Sequence, residues 1–449
     1  MKMDEIPRRV HFVGIGGVGM SGLAQHLHNL GYTVTGSDRT QSDRTDALGK
    51  IGIEVHIGHR AENVTNAELL VRTSAVHDDN VEVVEANNRK IPVILREQLL
   101  GTIFNSFETR IAVCGTHGKT TVTAMIHEIL CQANVSHTAL IGGVYHTNNY
   151  FFGQNIVVAE ACEFNRSFYN LYPTICVCLN AEYDHPDCYE SKEDVLKAFS
   201  NFMSNTDEKG TVVLPYELRN LCARRKRLCF DKYDVTNITC QEGKPCFDIT
   251  LNDETYTLQL GVAGKHNVNN ALAAIAVTHQ LLNVPFEVIQ RALSVFDGVD
   301  RRWTEYKVDG VGKVIVDYAH HPTELACSVA TAKSISSGKV VCVFQPHTYS
   351  RTQAFFDEFA TCFDGVSVAY LPIYSAREKP IVGVNSYLLA ERAKQLGVDA
   401  YFMPDFVSAK KWIESTASQD DILLILGAGD VFELASFLQK NTPYQQNKL

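Results

Sequence analysis

Two glycine-rich segments, Gly14-Ile15-Gly16-Gly17-Val18-Gly19 and Cys114-Gly115-Thr116-His117-Gly118-Lys119-Thr120-Thr121, each follow a short apolar run and precede a helical one. A tight turn from strand into helix favours residues without side chains, and it aims backbone N–H groups and a helix N-terminus at one spot. Both segments are therefore committed to βα units, and so to parallel sheets carrying anion-binding loops.

At ~150 residues per domain, a chain of 449 residues predicts roughly three domains. From Arg9 to about Asn105, runs near Val10-Gly14, Thr33-Gly36, Leu69-Thr73 and Pro92-Leu95 alternate with helical segments, which implies a parallel sheet. A second unit begins at Ile111-Cys114, passes into a helix from Gly118 to about Gln132, and takes in strands at Ile156-Glu160 and Ile175-Leu179. Between about Gly210 and Leu260, alternating runs such as Phe247-Ile249 and Thr255-Leu260, around Asn252-Asp253, indicate an antiparallel side sheet. A helix from about Asn267 to Leu282 follows. From Trp303 on, strands at Val314-Val316, Val340-Phe344, Val366-Tyr370 and Ile422-Leu426 alternate with helices. The expected fold is α/β in three domains, with boundaries near 105 and 300: a Rossmann-like segment 1–105, a P-loop segment 106–299 bearing the side sheet, and a Rossmann-like segment 300–449. The polar end after Asn441 is expected to fray.

A formal charge of −10 argues against a long basic groove for nucleic acid. The one cationic run, Arg224-Arg225-Lys226-Arg227, reads as a solvated surface turn. No uninterrupted apolar stretch reaches the ~18 residues a membrane span needs, and the first apolar segment is broken by glycines as a signal-peptide core is not. The thirteen cysteines are scattered, many of them in apolar runs, as in a reduced cytosolic protein. Without a CxxC pair, a structural zinc site or a disulfide framework is disfavoured.

The first loop matches G-x-G-x-x-G, and Ser37-Asp38 ends the next strand, where an acidic side chain can accept a hydrogen bond from a ribose or base. A diphosphate on Gly14, Gly16, Gly17 and Gly19 is the functional reading; a bare tight turn is the other. The second loop is more specific. Backbone N–H groups of Gly115, Thr116, His117, Gly118 and Thr121 can cradle ATP phosphates, Lys119 can set a charge on the β and γ oxygens, and the Thr120 hydroxyl can reach Mg²⁺. Val113 replaces the first glycine of the general P-loop, leaving the shorter form G-T-x-G-K-T.

Glu160 ends the apolar strand Ile156-Val157-Val158-Ala159 at the sheet edge that binds ligands in open α/β folds, where a carboxylate can hold Mg²⁺ or cap a helix. His185, in Glu182-Tyr183-Asp184-His185, is a candidate ligand for a second divalent ion. Asn267 and Asn270 open a helix and can pair with adenine, although Asn267 also suits a plain N-cap. Segments around Arg302, Asp317-Tyr318-Ala319-His320 and Gln345-Pro346-His347-Thr348-Tyr349-Ser350-Arg351 sit at strand ends or a junction, where arginine and histidine suit an anionic intermediate and a second substrate's carboxylate.

Together, G-I-G-G-V-G-M-S-G-L-A, G-T-H-G-K-T-T, E-A-C-E, E-Y-D-H, G-K-H-N-V-N-N-A, F-D-G-V-D-R-R-W, D-Y-A-H-H-P-T-E and Q-P-H-T-Y-S-R resemble the Mur ligases in order and spacing, from residue 10 to about 430. Within that family, Met20 to Ala24, Asp38 and His320 to Glu324 look like the alanine-adding branch. The resemblance implies a cytoplasmic enzyme of peptidoglycan precursor synthesis, monomer or homodimer, needing ATP and Mg²⁺. It would join L-alanine to the lactyl carboxylate of UDP-N-acetylmuramate through an acyl phosphate. It implies that Lys119, Glu160, His185, His320 and Arg351 act in catalysis and that Thr120, Glu160 and His185 hold metal. ATP would meet the second loop, Asn267, Asn270, Arg302 and Asp317. The UDP substrate and alanine would meet the first loop, Met20, Ser37, Asp38, Ser74, His320 and Arg351. Cys162 stands where many members have Asp, and Thr348 where an Arg is common, so Arg351 carries more of the expected clamp. Ligases of the tripeptide-recycling and folylpolyglutamate types are the near alternatives, and a dinucleotide-dependent dehydrogenase is a remote one.

Overall fold

The computed structural model describes residues 1–251, 253–308 and 310–439. Asn252 of the expected turn and the polar end after Asn441 lie outside the described residues. The chain divides into two compact units: Met1–Glu182, Val195–Lys232 and Asn270–Ala292 form one, and Tyr183–Asp194, Tyr233–Asn269 and the chain from Leu293 onward form the other.

In the first unit, Arg9–Val13 is apolar and buried at Val10, Phe12 and Val13, as a parallel strand covered on both faces must be. It is the centre of a five-stranded parallel sheet, flanked by Thr33–Asp38 and then Glu54–Ile57 on one side, and by Leu69–Arg72 and then Val93–Leu95 on the other. The strand order reverses beside Arg9–Val13, which opens a crevice at the carboxyl edge where the first glycine loop emerges. The helix after that loop, Val18–Asn29, buries Met20, Leu23, Ala24 and Leu27 against this sheet.

A seven-stranded sheet completes the first unit, in the order Lys226–Cys229, Thr211–Leu214, Ile175–Cys178, Thr109–Cys114, Ile156–Glu160, His137–Tyr145, Asn148–Phe151. All neighbours are parallel except the last pair, a hairpin. Thr109–Cys114 has later strands on both sides, so the second glycine loop also leaves a switch point. The basic run is not a free turn. Lys226 and Arg227 belong to an edge strand, where exposed cations discourage pairing with another chain, and Arg225 Nε donates to Thr206 O at 2.7 Å.

In the second unit, Asp234–Gln241, Lys244–Leu251 and Glu254–Gln259 form the expected antiparallel side sheet. A six-stranded sheet runs Thr304–Val308, Val311–Asp317, Ile422–Leu426, Val340–Phe344, Ser367–Tyr370, Asp399–Phe402, with only the first pair antiparallel. Its two faces carry separate apolar cores, one around Phe344, Phe359 and Leu389 and the other around Leu423, Ile413 and Leu434. Among the described residues, no helix is long and apolar enough to cross a membrane.

Candidate active site

The strand Thr109–Cys114 ends buried, and the chain reverses through Gly115 (φ +146°) and Gly118 (φ +83°) into the helix Lys119–Gln132. Two constraints make Gly118 a glycine: the left-handed φ, and Asn270 Oδ1, which would lie 2.7 Å from an added Cβ. The loop is tied to the end of the neighbouring strand. His117 N donates to Asn180 Oδ1 at 2.9 Å and Asn180 Nδ2 donates to His117 O at 3.1 Å, while Thr116 Oγ1 donates to Glu182 O and accepts from Glu182 N. Four hydrogen bonds thus fix the loop's shape.

Lys119 Nζ lies 2.5 Å from Gly115 O, 3.0 Å from Thr116 O and 2.9 Å from Glu163 Oε1. Burial alone would push its pKa down, but the Glu163 carboxylate, helped by Cys162 and Glu160, holds it above the ordinary lysine value. The ammonium is therefore a permanent charge at the mouth of the loop. Thr120 is buried in the first helical turn, with Thr121 beside it. Glu160 pairs in register with Val113, at the end of the strand next to the loop strand, and accepts from Gly142 N at 2.5 Å. A hydroxyl and a carboxylate are the hard oxygen donors that Mg²⁺ takes.

In the first glycine loop, Gly14 turns at φ +80° and Gly17 caps Val18–Asn29. Gly16 N donates to Asp38 Oδ2 at 2.9 Å, so a carboxylate already rests on the loop amide. Gly19 abuts Arg96, whose Nη1 would stand 3.1 Å from an added Cβ. Ser74 is exposed in the turn after Leu69–Arg72, at the same carboxyl edge. Two expected contacts face elsewhere. Met20 is 1% exposed and packs in the core, because position three of this helix looks onto the sheet. Ser37 Oγ donates to buried Glu82 Oε2 at 2.5 Å and lies 3.0 Å from His59 Nδ1. Although burial raises the Glu82 pKa, hydrogen bonds from His11, Ser37 and Asn63 hold it down to about 2.

The second unit assembles a different cluster. Arg351 is buried and forks onto Asp184, Nε to Oδ1 at 2.8 Å and Nη2 to Oδ2 at 3.2 Å. Its Nη1 lies 3.1 Å from His347 Nδ1, and Nη2 lies 3.5 Å from His185 Nδ1. His185, at φ +54°, also has Nε2 3.6 Å from Asp184 Oδ2. Burial acts on Asp184 to raise its pKa, but Arg351 and His185 overcome this and hold it well below the carboxylate range. Burial drops His320 to about 4 and His347 to about 3, the latter also repelled by His320 and Arg351. His320 Nδ1 donates to Tyr318 O at 2.9 Å, and Glu324 links His320 to Arg302, 3.7 Å away. Asp317 accepts from Ser328 Oγ at 2.7 Å; burial raises its pKa against the pull of Arg302.

Asn267 lies inside the helix His266–Ile275, not at its cap, and donates from Nδ2 to Ala263 O at 2.7 Å. It belongs to the second unit, and Asn270 to the first. Sequence reasoning passed over Glu163, Asn180, Asp184 and His347 as individual residues. All four lie within or beside quoted motifs, and the signal that could have found them was a charge or amide left over next to each expected cation or loop.

Three family models match the chain in succession: "Mur ligase family, catalytic domain" over residues 9–108, "Mur ligase middle domain" over 113–278 and "Mur ligase, glutamate ligase domain" over 301–429. The UDP-N-acetylmuramate--L-alanine ligase of Clostridium novyi is 38% identical over 452 residues, covering 95% of this chain and 96% of its own. That of Acetivibrio thermocellus is 38% identical over 97% of this chain and 96% of its own. Among solved structures, the UDP-N-acetylmuramate-alanine ligase of Thermotoga maritima superposes with a TM-score of 0.81 at 31% identity, covering 96% of this chain and 98% of its own. A murein peptide ligase from Psychrobacter arcticus, 22% identical with a TM-score of 0.70 over 98% of this chain and all of its own, shares the fold. With three successive domains matched and full-length relatives well above 30% identity, this chain belongs to the Mur ligase family.

Proposed function

We propose that this protein is an ADP-forming ligase that uses ATP and Mg²⁺ to join L-alanine to the lactyl carboxylate of UDP-N-acetylmuramate, a step of peptidoglycan precursor synthesis. The observation that carries the proposal is the second glycine loop: Lys119 is charged, partly buried and held by two carbonyls and Glu163, with Glu160 at the adjacent strand end. Phosphoryl transfer asks a protein mainly for position and positive charge. In this reading Lys119 exchanges its carbonyl contacts for phosphate oxygens of ATP, and the loop amides fix their direction.

Thr120 and Glu160 would hold Mg²⁺, which when bound would supply positive charge to the phosphates, and His185 is assigned to a second ion. Asn267, Asn270, Arg302 and Asp317 are assigned to ATP, and the first loop with Asp38 and Ser74 to the UDP end. His320 stays neutral at pH 7 and is assigned, with Arg351, to the acyl phosphate and the incoming amino acid. Apart from Arg302 and Asp317, the roles follow the three segments 1–105, 106–299 and 300–449. Relatives named for the alanine reaction, at 38% identity over nearly the whole chain, support alanine as the amine.

The test is phosphate release with UDP-N-acetylmuramate, ATP and Mg²⁺, with alanine, glycine, serine or tripeptide as the amine. Alanine should give the highest kcat/KM. Turnover with tripeptide but not alanine would overturn the assignment of substrate, and absorbance change on adding NAD(P) without phosphate release would overturn the ligase reading.

A further inference from the structure

At the far end of the helix that begins with Lys119, three metal-binding side chains converge. His127 and Cys131 stand four residues apart on one face of Lys119–Gln132, and His137 opens the next strand, His137–Tyr145. At 1.5 Å per residue Cys131 lies about 18 Å along the helix from Lys119, clear of the phosphate loop. The ligating atoms of the three residues all lie within 4.8 Å of one another. His127 Nδ1 is 2.7 Å from His137 Nε2, and Cys131 Sγ is 3.8 Å and 3.7 Å from the His127 ring nitrogens Nδ1 and Nε2.

Tetrahedral zinc, with Zn–N about 2.0–2.1 Å and Zn–S about 2.3 Å, separates two nitrogens by about 3.3 Å and nitrogen from sulfur by about 3.6 Å. The sulfur is within about 0.2 Å of that distance from His127 Nδ1 and within 4.8 Å of the His137 ligating atom, and the two rings need to part by about 0.6 Å, within reach of small side-chain rotations. Their orientation is fixed by the backbone. His137 Nδ1 lies 2.7 Å from Val135 O, and a carbonyl only accepts, so Nδ1 carries the proton and Nε2 turns its lone pair toward His127. Donation of the second ring N–H to a carbonyl is the arrangement that metal-bound histidines adopt. His127 and His137 are buried, with the His127 ring 3.9 Å from that of Phe151, whereas Cys131 is exposed and leaves a way in from solvent.

We propose that His127, Cys131 and His137 bind one soft divalent transition-metal ion, of which Zn²⁺ fits the donor set, with a fourth position open to water. The hard-oxygen ligands assigned to Mg²⁺ do not compete for it, because thiolate and imidazole select softer ions. On binding, the Cys131 thiol gives its proton to solvent and His127 moves its Nδ1 proton to Nε2. The trio lacks a CxxC pattern because two ligands come from helical spacing and the third from the following strand. The bland alternative is a buried imidazole pair with a sulfur packed against it.

Cobalt(II) distinguishes the two, because a bound thiolate gives a charge-transfer band that nitrogen and oxygen ligands do not. Metal-free, full-length protein without nucleotide should bind one equivalent of Co²⁺ with that band, and Zn²⁺ should displace it. Cys131→Ser should abolish the band and weaken Zn²⁺ binding at least tenfold in a chelator competition. Glu160→Gln should leave both unchanged. Because Cys131 is exposed, its variant folds even if His137→Asn does not. Binding without the band, a band that survives Cys131→Ser, or no Co²⁺ bound at all would each overturn the proposal.

Discussion

Lys119, partly buried, and Arg351, fully buried, are both cations with carboxylate partners, yet the two pairs differ in what else the cation touches. Lys119 Nζ spends two of its contacts on loop carbonyls, which phosphate oxygens can replace. Lys119→Ala is therefore predicted to lower the rate of phosphate release by ~10²–10³-fold with an unchanged circular dichroism spectrum. A variant that consumes ATP at the parent's rate would remove the basis of the ligase reading. Arg351 instead commits its fork to Asp184, and both side chains are under 7% exposed. Asp184→Asn leaves a buried guanidinium without its counter-charge, so a loss of about 3–5 kcal/mol is expected in urea unfolding. A loss under 1 kcal/mol would mean that water reaches the pair. The sequence made Lys119, Thr120 and Glu160 legible because their spacing from the loop is local. Glu163, Asp184 and His347 were not, since each acquires its role from a partner the fold brings to it.

Elements with an apolar signature were readable, and polar ones were not. Val340–Phe344 and Ile422–Leu426 are buried at every position and were located to the residue. Asp234–Gln241 is exposed at nearly every position and has no buried face to read, and Glu54–Ile57, although polar and apolar residues alternate in it, is a four-residue sheet edge with no buried position, too short to stand out. The hairpin His137–Phe151 escaped because its turn residues, His146 (φ +44°) and Thr147 (φ +73°), adopt left-handed conformations without the usual Asn-Gly signal. Glycine offers a sharper test of how one element serves the site. Gly31 (φ +81°) and Gly118 (φ +83°) have nearly the same backbone, but nothing lies within 4 Å of a Cβ at Gly31, whereas Asn270 Oδ1 lies 2.7 Å from one at Gly118. Gly31→Ala is expected to cost about 1–2 kcal/mol from the left-handed conformation alone, with KM for ATP unchanged. Gly118→Ala should lose at least that stability and also raise KM for ATP severalfold, because Asn270 must move. Equal effects of the two on KM would show that the loop tolerates a methyl group where the helix starts.

At the scale of the whole chain, two electrostatic effects predict opposite responses to mild acid. The formal charge of −10 falls toward zero near the pI of about 5.9, which relieves self-repulsion and favours the folded state there. Against this stand imidazoles that the fold keeps neutral. Burial lowers His26 and His320 to about 4, His127 and His347 to about 3, and His137 in the same direction, with three of them in the first unit and two in the second. In the unfolded chain each takes up a proton near pH 6.5, and in the folded chain only at lower pH, near 4 or below for His26, His127, His320 and His347, so the unfolded state binds more protons throughout that window. Stability must then fall as pH drops below about 6.5, by at most ~1.4 kcal/mol per pH unit for each imidazole. Surface repulsion is screened at physiological ionic strength and buried desolvation is not, so the imidazoles win. Urea midpoints at constant ionic strength are expected to decline from pH 7 through 6 to 5, passing the pI without a maximum. His26→Gln, which keeps a hydrogen-bonding group near Tyr150, should flatten that slope by about a fifth, as one of five depressed imidazoles. A stability peak near the pI, or a slope indifferent to the substitution, would mean that these histidines are already charged in the folded protein.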